Sequence, residues 1–456
     1  MIAQNTNRDM LIVGTGYVGL VTAICMAKMG HTATCYDINP ERVSQLKQGK
    51  SPFYEPDVSE LLAAGLESRR VIISDSLSEA YTGQRYIFVA VQTPQDAEGK
   101  SDLTALRAAV TSVAETVSAD KQTLIIVKST VPVGVFDELA ALPAVQQNGA
   151  LTFVSCPEFL AEGTAVRDFF HPMRTIVGAD DKALAEEVAG LFYGLGGSFI
   201  ITDAKTAQMI KYGANSFLAT RVAFINDMAE VCEKVGVNVN DVAQALVMDP
   251  RVGGTYLWPS IGFGGPCLPK DIAALIETSE RVGAPTLLLR GASEHNVSHV
   301  RHIVDSIIKA AGEGRTVAVF GLSFKPNTDD VRNAFSLRIA QALLEHGLAI
   351  RATDPQAVPA AKLMLGDTAV QFFDDPFEAA RDSDVQVFLT PWEQYEAIDL
   401  PKLASVVRTK AIYDGMQVIA ASKARAAGFS YQGVGNAFGH HEPPTFEVSE
   451  NPRDQR

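Results

Sequence analysis

The sequence predicts an α/β protein of two doubly wound parallel-sheet domains joined by a long central helix. Three observations carry that expectation. Short apolar strands alternate with helical stretches from Met10 to Ser155, the same plan starts again at Arg315, and residues 203–235 between them read as helix without a break. The chain has 456 residues, more than the roughly 250–300 at which a single core stops growing.

The first unit is the most explicit. Met10–Val13 is a short apolar strand, Gly14-Thr15-Gly16-Tyr17-Val18-Gly19 a turn, Leu20–Met29 an apolar helix stopped by Gly30, and Thr32–Tyr36 a second strand closed by Asp37. Glycines at those spacings let the backbone turn sharply and approach a pyrophosphate on the helix N-terminus. An acid about 20 residues on is placed to accept hydrogen bonds from a ribose. The same carboxylate repels a 2′-phosphate, so NAD is expected rather than NADP; Arg42 is the nearest following arginine.

Strands at Val71–Ser74, Tyr86–Val91, Leu124–Lys128 and Thr152–Ser155 extend this sheet, with helix at Asp102–Ser118. Their carboxyl ends carry the turns VQTPQ, KSTVPVG and SCPEFLAEG, where ligands of open α/β sheets bind. Asp203 is the expected N-cap and Gly236 the stop of a central helix on the order of 50 Å long. Lys211 and Asn215 project from one face of it, and Gly213 between them suggests close packing. The repeat at Arg315 has strand Val317–Phe320, helix Ser336–Glu345 and strand Ala349–Thr353 ending at Asp354, then strands Val385–Leu389 and Ala411–Tyr413. A longer loop bearing Lys325, Asp329, Asp330 and Arg332 replaces the glycine turn. The expected organisation is two Rossmann-like doubly wound domains joined by a long central helix. Residues 1–202 bind NAD, 203–300 form a central helical region, 301–440 form the second sheet domain, and 441–456 are a polar, disordered tail.

Composition narrows the function. Lysine and arginine total 39 against 53 acids, a net charge of −14, which opposes nucleic-acid binding. No apolar run reaches the roughly 18 residues of a membrane span, and the polar N-terminus leads straight into a strand, so neither membrane nor signal peptide is expected. Five cysteines (Cys25, Cys35, Cys156, Cys232 and Cys267) without metal spacing imply free thiols in a reducing cytoplasm and no metal site.

Cys267 stands apart. It lies in SIGFGGPCLPKD, Ser260–Asp271, not on a periodic apolar face where a structural cysteine would sit. Lys270 is close enough in sequence to lower a thiol pKa, and Asp271 to act as a base or orient a water. An NAD site with a nucleophilic cysteine points to aldehyde oxidation: thiohemiacetal, hydride loss, thioester, hydrolysis.

On these residues the chain resembles the UDP-glucose/GDP-mannose dehydrogenase family. The likeness runs from Met10 to Gly435 and rests on GTGYVGL, STVPVG, PEFLAEG, HPMRTIVG, IKYGANSFLA, GFGGPCLPKD and FKPNTDDVR in family order. The resemblance implies Cys267 as nucleophile, with Asp271, Lys211 and Asn215 around it. Thr130 joins a proton path through water, and Glu158 and Glu162 complete the catalytic set, Glu162 as base for thioester hydrolysis. It implies NAD contacts at Gly14, Gly16, Tyr17, Val18, Gly19, Asp37, Thr93, Thr130, Glu162 and Lys270. It implies UDP-sugar contacts at Glu158, Phe159, Leu160, Lys211, Asn215, Tyr256, Gly264, Cys267, Phe324, Lys325 and Arg332, with Arg251 reaching a neighbouring subunit's substrate. Pro266, Trp258 and Met416 depart from the family pattern without removing a catalytic group. The implied reaction is four-electron oxidation of UDP-glucose at C6 by a homo-oligomer, at least a dimer. The alternatives are the same chemistry on GDP-mannose, a single-oxidation dehydrogenase, or a non-catalytic NAD or nucleotide-sugar sensor.

Overall fold

Two segments of the chain, Tyr86–Val89 and Thr123–Val127, are buried at every position and apolar at all but Thr123, the signature of parallel strands covered on both faces. They are the centre of an eight-stranded sheet. The computed structural model describes residues 8–96, 99–366 and 370–435; the tail expected from residue 441 lies outside them. The described residues form two compact units. One holds the chain up to Phe217 with Pro266–Arg290 and Asn327–Asp329; the other holds Leu218–Gly265, Gly291–Pro326 and the chain from Asp330.

In the first unit the strands are β1 (Asp9–Val13), β2 (Thr32–Tyr36), β3 (Val71–Ser74), β4 (Tyr86–Val89), β5 (Thr123–Val127), β6 (Leu151–Ser155), β7 (Arg174–Gly178) and β8 (Ser198–Thr202). Their order is β3-β2-β1-β4-β5-β6-β7-β8. All pairs are parallel except β6 with β7, which meet antiparallel at Ser155 and Gly178. The six strands expected from sequence all pair parallel with one another, and the antiparallel pair involves β7, which was not expected. β8 lacks a buried apolar run because it is exposed or half-buried along its whole length, and β7 is buried only in its last three residues. Helix α1 (Tyr17–Lys28) is buried from Gly19 to Ala27, so its continuous apolar run reflects burial on nearly all sides.

The second unit holds β9 (Thr316–Phe320), β10 (Ala349–Thr353), β11 (Val370–Phe372), β12 (Val385–Phe388), β13 (Ala411–Asp414) and β14 (Ser430–Gly433). They form a wholly parallel sheet in the order β11-β10-β9-β12-β13-β14. Each unit therefore places its first strand beside its fourth, the switch point at which such sheets bind ligands. The three-residue edge strand β11 and the terminal β14 were not foreseen.

The acid closing the second strand has one structural task in both units. Asp37 Oδ2 accepts from Thr15 N at 2.7 Å and Thr15 Oγ1 at 2.8 Å. Asp354 Oδ2 accepts from Leu322 N at 2.7 Å, Ser323 N at 3.1 Å and Trp392 Nε1 at 3.1 Å, and its Oδ1 from Gln356 N and Ala357 N. Each carboxylate ties the turn after the first strand to the end of the second, satisfying backbone donors that the turn leaves bare.

The central helix α2 (Ala204–Val235) has 32 residues. Asp203 Oδ1 accepts from Thr206 N at 2.8 Å, an N-cap, and Gly236 at φ 74° ends the helix. Lys211 and Asn215 are both buried. Gly213 is exposed, and a Cβ there would meet nothing within 4 Å. The expected close packing around it is thus absent within the described residues, because Gly213 lies on the face opposite Lys211. Three further helices matter below: α3 (Leu268–Arg281), α4 (Leu287–Ala311) and α5 (Phe335–Glu345).

These two caps differ in weight. Asp354→Ala strands several buried donors and is expected to cost about 3 kcal/mol or more, whereas Asp203→Ala removes one exposed cap at about 1 kcal/mol. Thermal denaturation of the two variants side by side checks this; equal losses would contradict the role given to Asp354.

Candidate active site

The turn after β1 is shaped as an anion cradle. Gly14 takes φ 90° and its N donates to Tyr36 O at 2.9 Å. A Cβ on Gly19 would lie 1.9 Å from Gly14 O, whereas one on Gly16 would meet no protein atom within 4 Å. Gly19 therefore serves helix–turn packing, and Gly16 leaves open space over the N-terminus of α1. Burial works against the charge of Asp37, but the Asn39 and Thr15 backbone donors, the Thr15 hydroxyl and Arg42 outweigh it and hold the carboxyl below the ordinary value. Arg42 Nη1 stands 3.0 Å from Asp37 Oδ2. Tyr17 and Val18 open α1, and the Tyr17 hydroxyl donates to Glu55 Oε2 at 2.5 Å. These residues fit NAD: open space at Gly16, a bare helix N-terminus and an ionised acid at the end of β2. Next to the turn, the strand ends of β4 and β5 are tied together by Thr93 Oγ1 donating to Thr130 O at 2.8 Å and Ser129 Oγ to Val91 O at 2.6 Å.

The thiol cluster is built from α2, α3 and the turn after β6. Cys267 is the N-cap residue of α3, where unpaired backbone N–H groups favour negative charge. One turn on, Asp271 is buried; its Oδ2 accepts from Asn215 Nδ2 at 2.6 Å and its Oδ1 from Lys270 Nζ at 2.5 Å. Lys211 Nζ donates to Glu158 Oε1 at 3.0 Å with both side chains buried, and sits 5.1 Å from the centre of the Phe159 ring. Glu158 Oε2 in turn accepts from Leu160 N at 2.6 Å. Burial opposes the charge of Lys211, but Glu158, Asp271 and Cys267 prevail and its ammonium stays above the ordinary lysine value. The Cys267 thiol is pushed up to about 12, first by burial and then by Glu158, with Asp271 and Glu162 adding to it and Lys211 pulling the other way. Cys267 is nonetheless the one exposed cysteine; the other four are buried.

Two expectations change here. Lys270 is engaged by Asp271, and the cation that pulls the thiol pKa down is Lys211. Asp271 has a donor on each oxygen, which suits it to fixing Asn215 and Lys270 more than to taking up a proton. Glu162 accepts from Thr328 Oγ1 at 3.5 Å.

The remaining residues named from sequence lie in the second unit. Asn296 Oδ1 accepts from Phe263 N at 2.9 Å, while its Nδ2 donates to Phe263 O at 2.9 Å. A Cβ on Gly264 would approach Asn333 O to 2.6 Å, and one on Gly265 the Phe324 ring to 2.7 Å. The glycine run before Cys267 is therefore dictated by close backbone approach. Lys325 Nζ lies 5.3 Å from the Phe324 ring centre, and Arg332 pairs with Asp330 of its own loop. Arg251, its side chain 88% exposed, pairs with Asp249. Tyr256 is exposed with φ 61°.

Sequence reasoning missed two residues. Glu55 is buried and accepts from Tyr17 Oη, Gly163 N and Ala165 N, so it joins the start of α1 to the turn carrying Glu158 and Glu162. Arg174 stacks 4.3 Å over Phe159. A lone glutamate between Tyr54 and Pro56 gives no periodic signal.

The cradle, the strand-end acid and the thiol beside a buried ammonium define an NAD-dependent oxidoreductase. Family models agree along the chain: UDP-glucose/GDP-mannose dehydrogenase family NAD binding domain at residues 8–195, central domain at 205–298 and UDP binding domain at 318–421. The chain belongs to the UDP-glucose/GDP-mannose dehydrogenase family. It is 36% identical over 432 residues to UDP-glucose 6-dehydrogenase TuaD of Bacillus subtilis, covering 94% of this chain and 93% of that one. It is similar to the structure of a UDP-glucose dehydrogenase from Pyrobaculum islandicum, with TM-score 0.87, 34% identity and coverage of 95% and 99%. It is also similar to that of a UDP-D-ManNAc dehydrogenase from Pyrococcus horikoshii, with TM-score 0.82, 26% identity and coverage of 94% and 99%.

Two expectations follow from this geometry. Gly19→Ala should lower the melting temperature, while Gly16→Ala should leave it unchanged and weaken NAD binding by about tenfold or more, read by calorimetric titration; the reverse pattern would refute the assignment. Iodoacetamide should label Cys267 selectively and slowly at neutral pH. Because Glu158 raises the thiol pKa and Lys211 lowers it, Glu158→Gln should speed labelling and Lys211→Met slow it. A pKa displacement of one unit corresponds to about tenfold in thiolate. Rates in the opposite order would contradict the electrostatics.

Proposed function

We propose that this chain oxidises the C6 hydroxyl of UDP-glucose to the carboxylate of UDP-glucuronate in two steps linked by covalent bonds to Cys267. The observation that carries the reading is the exposed thiol at the N-cap of α3 beside a buried, charged lysine and a buried aspartate. Bound NAD supplies the hydride acceptor in each step. Thr130 passes the hydroxyl proton to water in the first oxidation, which leaves an aldehyde. The Cys267 sulfur then adds to the aldehyde carbon, giving a thiohemiacetal; the Lys211 ammonium and the Asn215 amide stabilise its oxygen. Loss of the second hydride makes the thioester. Glu162 takes a proton from water, the hydroxide adds to the acyl carbon, and the C–S bond breaks to return the thiol and release the carboxylate. The balance is one alcohol, one water and two NAD giving one carboxylate, two NADH and three protons.

The named relatives support the sugar: identity is 36% and 34% to the two UDP-glucose enzymes against 26% to the UDP-D-ManNAc enzyme. Lys325 and Arg332, with Phe324, fall within the UDP binding domain match, where cations meet a diphosphate. Tyr256 and Gly264 contribute sugar contacts. Arg251 serves the site of a second copy, its exposed guanidinium held out by Asp249. The homo-oligomer is supported by α2, whose exposed Phe217, Phe224 and Val231 recur at heptad spacing, with exposed Met209 about two turns before them. Unpaired cysteines support a reducing cytoplasm; no described helix is long and apolar enough to cross a membrane.

The test is NADH formed per sugar consumed, with UDP-glucose and GDP-mannose run separately. Two NADH per UDP-glucose are expected, and Cys267→Ser should stop after at most one. One NADH per sugar would mean a single-oxidation dehydrogenase, turnover only with GDP-mannose would move the substrate, and none with either would favour a sensor.

A further inference from the structure

Within the second unit, helices α2 and α4 face each other with a column of imidazoles. His295, His299 and His302 stack along α4 with ring centres 5.7 and 6.0 Å apart. Opposite them on α2 stand Asp227, Glu230 and Glu233. His302 Nε2 is committed to Glu233 Oε2 at 2.7 Å. The other two histidines have unusual arrangements.

His299 is fully buried, with Nε2 2.9 Å from Ser260 O and Nδ1 2.9 Å from Glu230 Oε1. A carbonyl only accepts, so Nε2 carries the proton. On the Nδ1 side the carboxylate oxygen is met either through a second ring proton or through a cation bound between the two. Both ring nitrogens of His295 are out of solvent and have no hydrogen-bond partner. Its Nε2 lies 3.6 Å from Glu230 Oε1 and 3.7 Å from Asp227 Oδ1. A buried nitrogen lone pair without a donor is costly.

One ligand resolves both arrangements. We propose that His295, His299 and Glu230 form a binding site for a divalent transition metal, zinc by its ligand chemistry, with Asp227 available as a fourth oxygen. One ligand atom from each of the three residues lies within 4.8 Å of the others. Zinc bonds of about 2.0–2.2 Å to nitrogen and oxygen set such atoms about 3.4 Å apart in a tetrahedron, so the His295 ring has to move in while the His299–Glu230 pair, 2.9 Å apart, opens slightly. Two imidazoles at i and i+4 on one helix face, with a carboxylate from a second helix, suit zinc rather than magnesium or calcium. Metal on His299 Nδ1 leaves Nε2–H for Ser260 O, the outer hydrogen bond that orients a metal-bound imidazole. The metal would thereby clasp α2 to α4 and fix Ser260, the first residue of the segment that runs by chain to Cys267. The absence of a metal expected from cysteine spacing does not reach this site, because none of its ligands is a thiol.

The experiment uses the full chain carrying Cys267→Ser, which removes the exposed thiol as a competing ligand. After chelation and dialysis, zinc binding is measured by calorimetry and metal content, and cobalt(II) is added to read visible ligand-field bands. One zinc per chain is expected, with ligand-field bands and a higher melting temperature. His295→Ala in that background should weaken binding by about 100-fold or more and abolish the bands, whereas His302→Ala should leave them intact. Circular dichroism confirms that the His295→Ala chain is folded. Absence of stoichiometric zinc, or zinc binding that survives His295→Ala, would overturn the proposal and leave His299 as an imidazolium paired with Glu230.

Discussion

The ammonium of Lys211 is the constraint around which the catalytic unit is arranged. A buried charge is tolerated only when paired and hydrogen-bonded. Here the pairing draws Glu158 from the turn after β6, sets the Phe159 ring under the charge, and places the N-cap of α3 opposite. The arrangement matches cation to thiol without ionising the thiol in advance. Burial first, and then Glu158 and Asp271, outweigh Lys211 and hold the Cys267 thiol well above its ordinary pKa. Sulfur reactivity therefore depends on what changes that balance, such as a substrate group that draws Glu158 away from the thiol.

The two sheets share more than strand order. In each, one carboxylate at the end of the second strand secures the turn after the first, Asp37 through Thr15 and Asp354 through Leu322 and Ser323. In the first unit that acid is also available to a ribose. In the second it is buried under Trp392, within the stretch that matches the UDP binding domain. One structural device thus supports two kinds of nucleotide site.

Much of this was legible in the residues. Strand and helix periodicity located ten of the strands and the central helix, since buried parallel strands are near-continuous apolar runs. The glycine turn and Asp37 were legible because their spacing is fixed by a phosphate and a ribose. The spacing of Lys211 and Asn215 gave their shared face. What sequence could not carry was partnership: that Lys270 is held by Asp271, that Lys211 faces the thiol, and that Glu55 links two turns. Each depends on contacts between residues far apart in the chain. Gly213 misled for a related reason, since a glycine within a helix marks either close packing or an exposed face and the sequence does not distinguish them. The histidine column was invisible for the same cause, its carboxylates lying some seventy residues away.

The central claim is that the sugar becomes covalently bound to Cys267 as an acyl group. It is tested most directly by mass spectrometry of the acid-quenched Glu162→Gln enzyme after mixing with UDP-glucose and NAD. The account predicts a peptide carrying UDP-glucuronyl on Cys267, accumulating because hydrolysis is slowed. Formation of UDP-glucuronate with no adduct at any time, together with full turnover by Cys267→Ser, would contradict it.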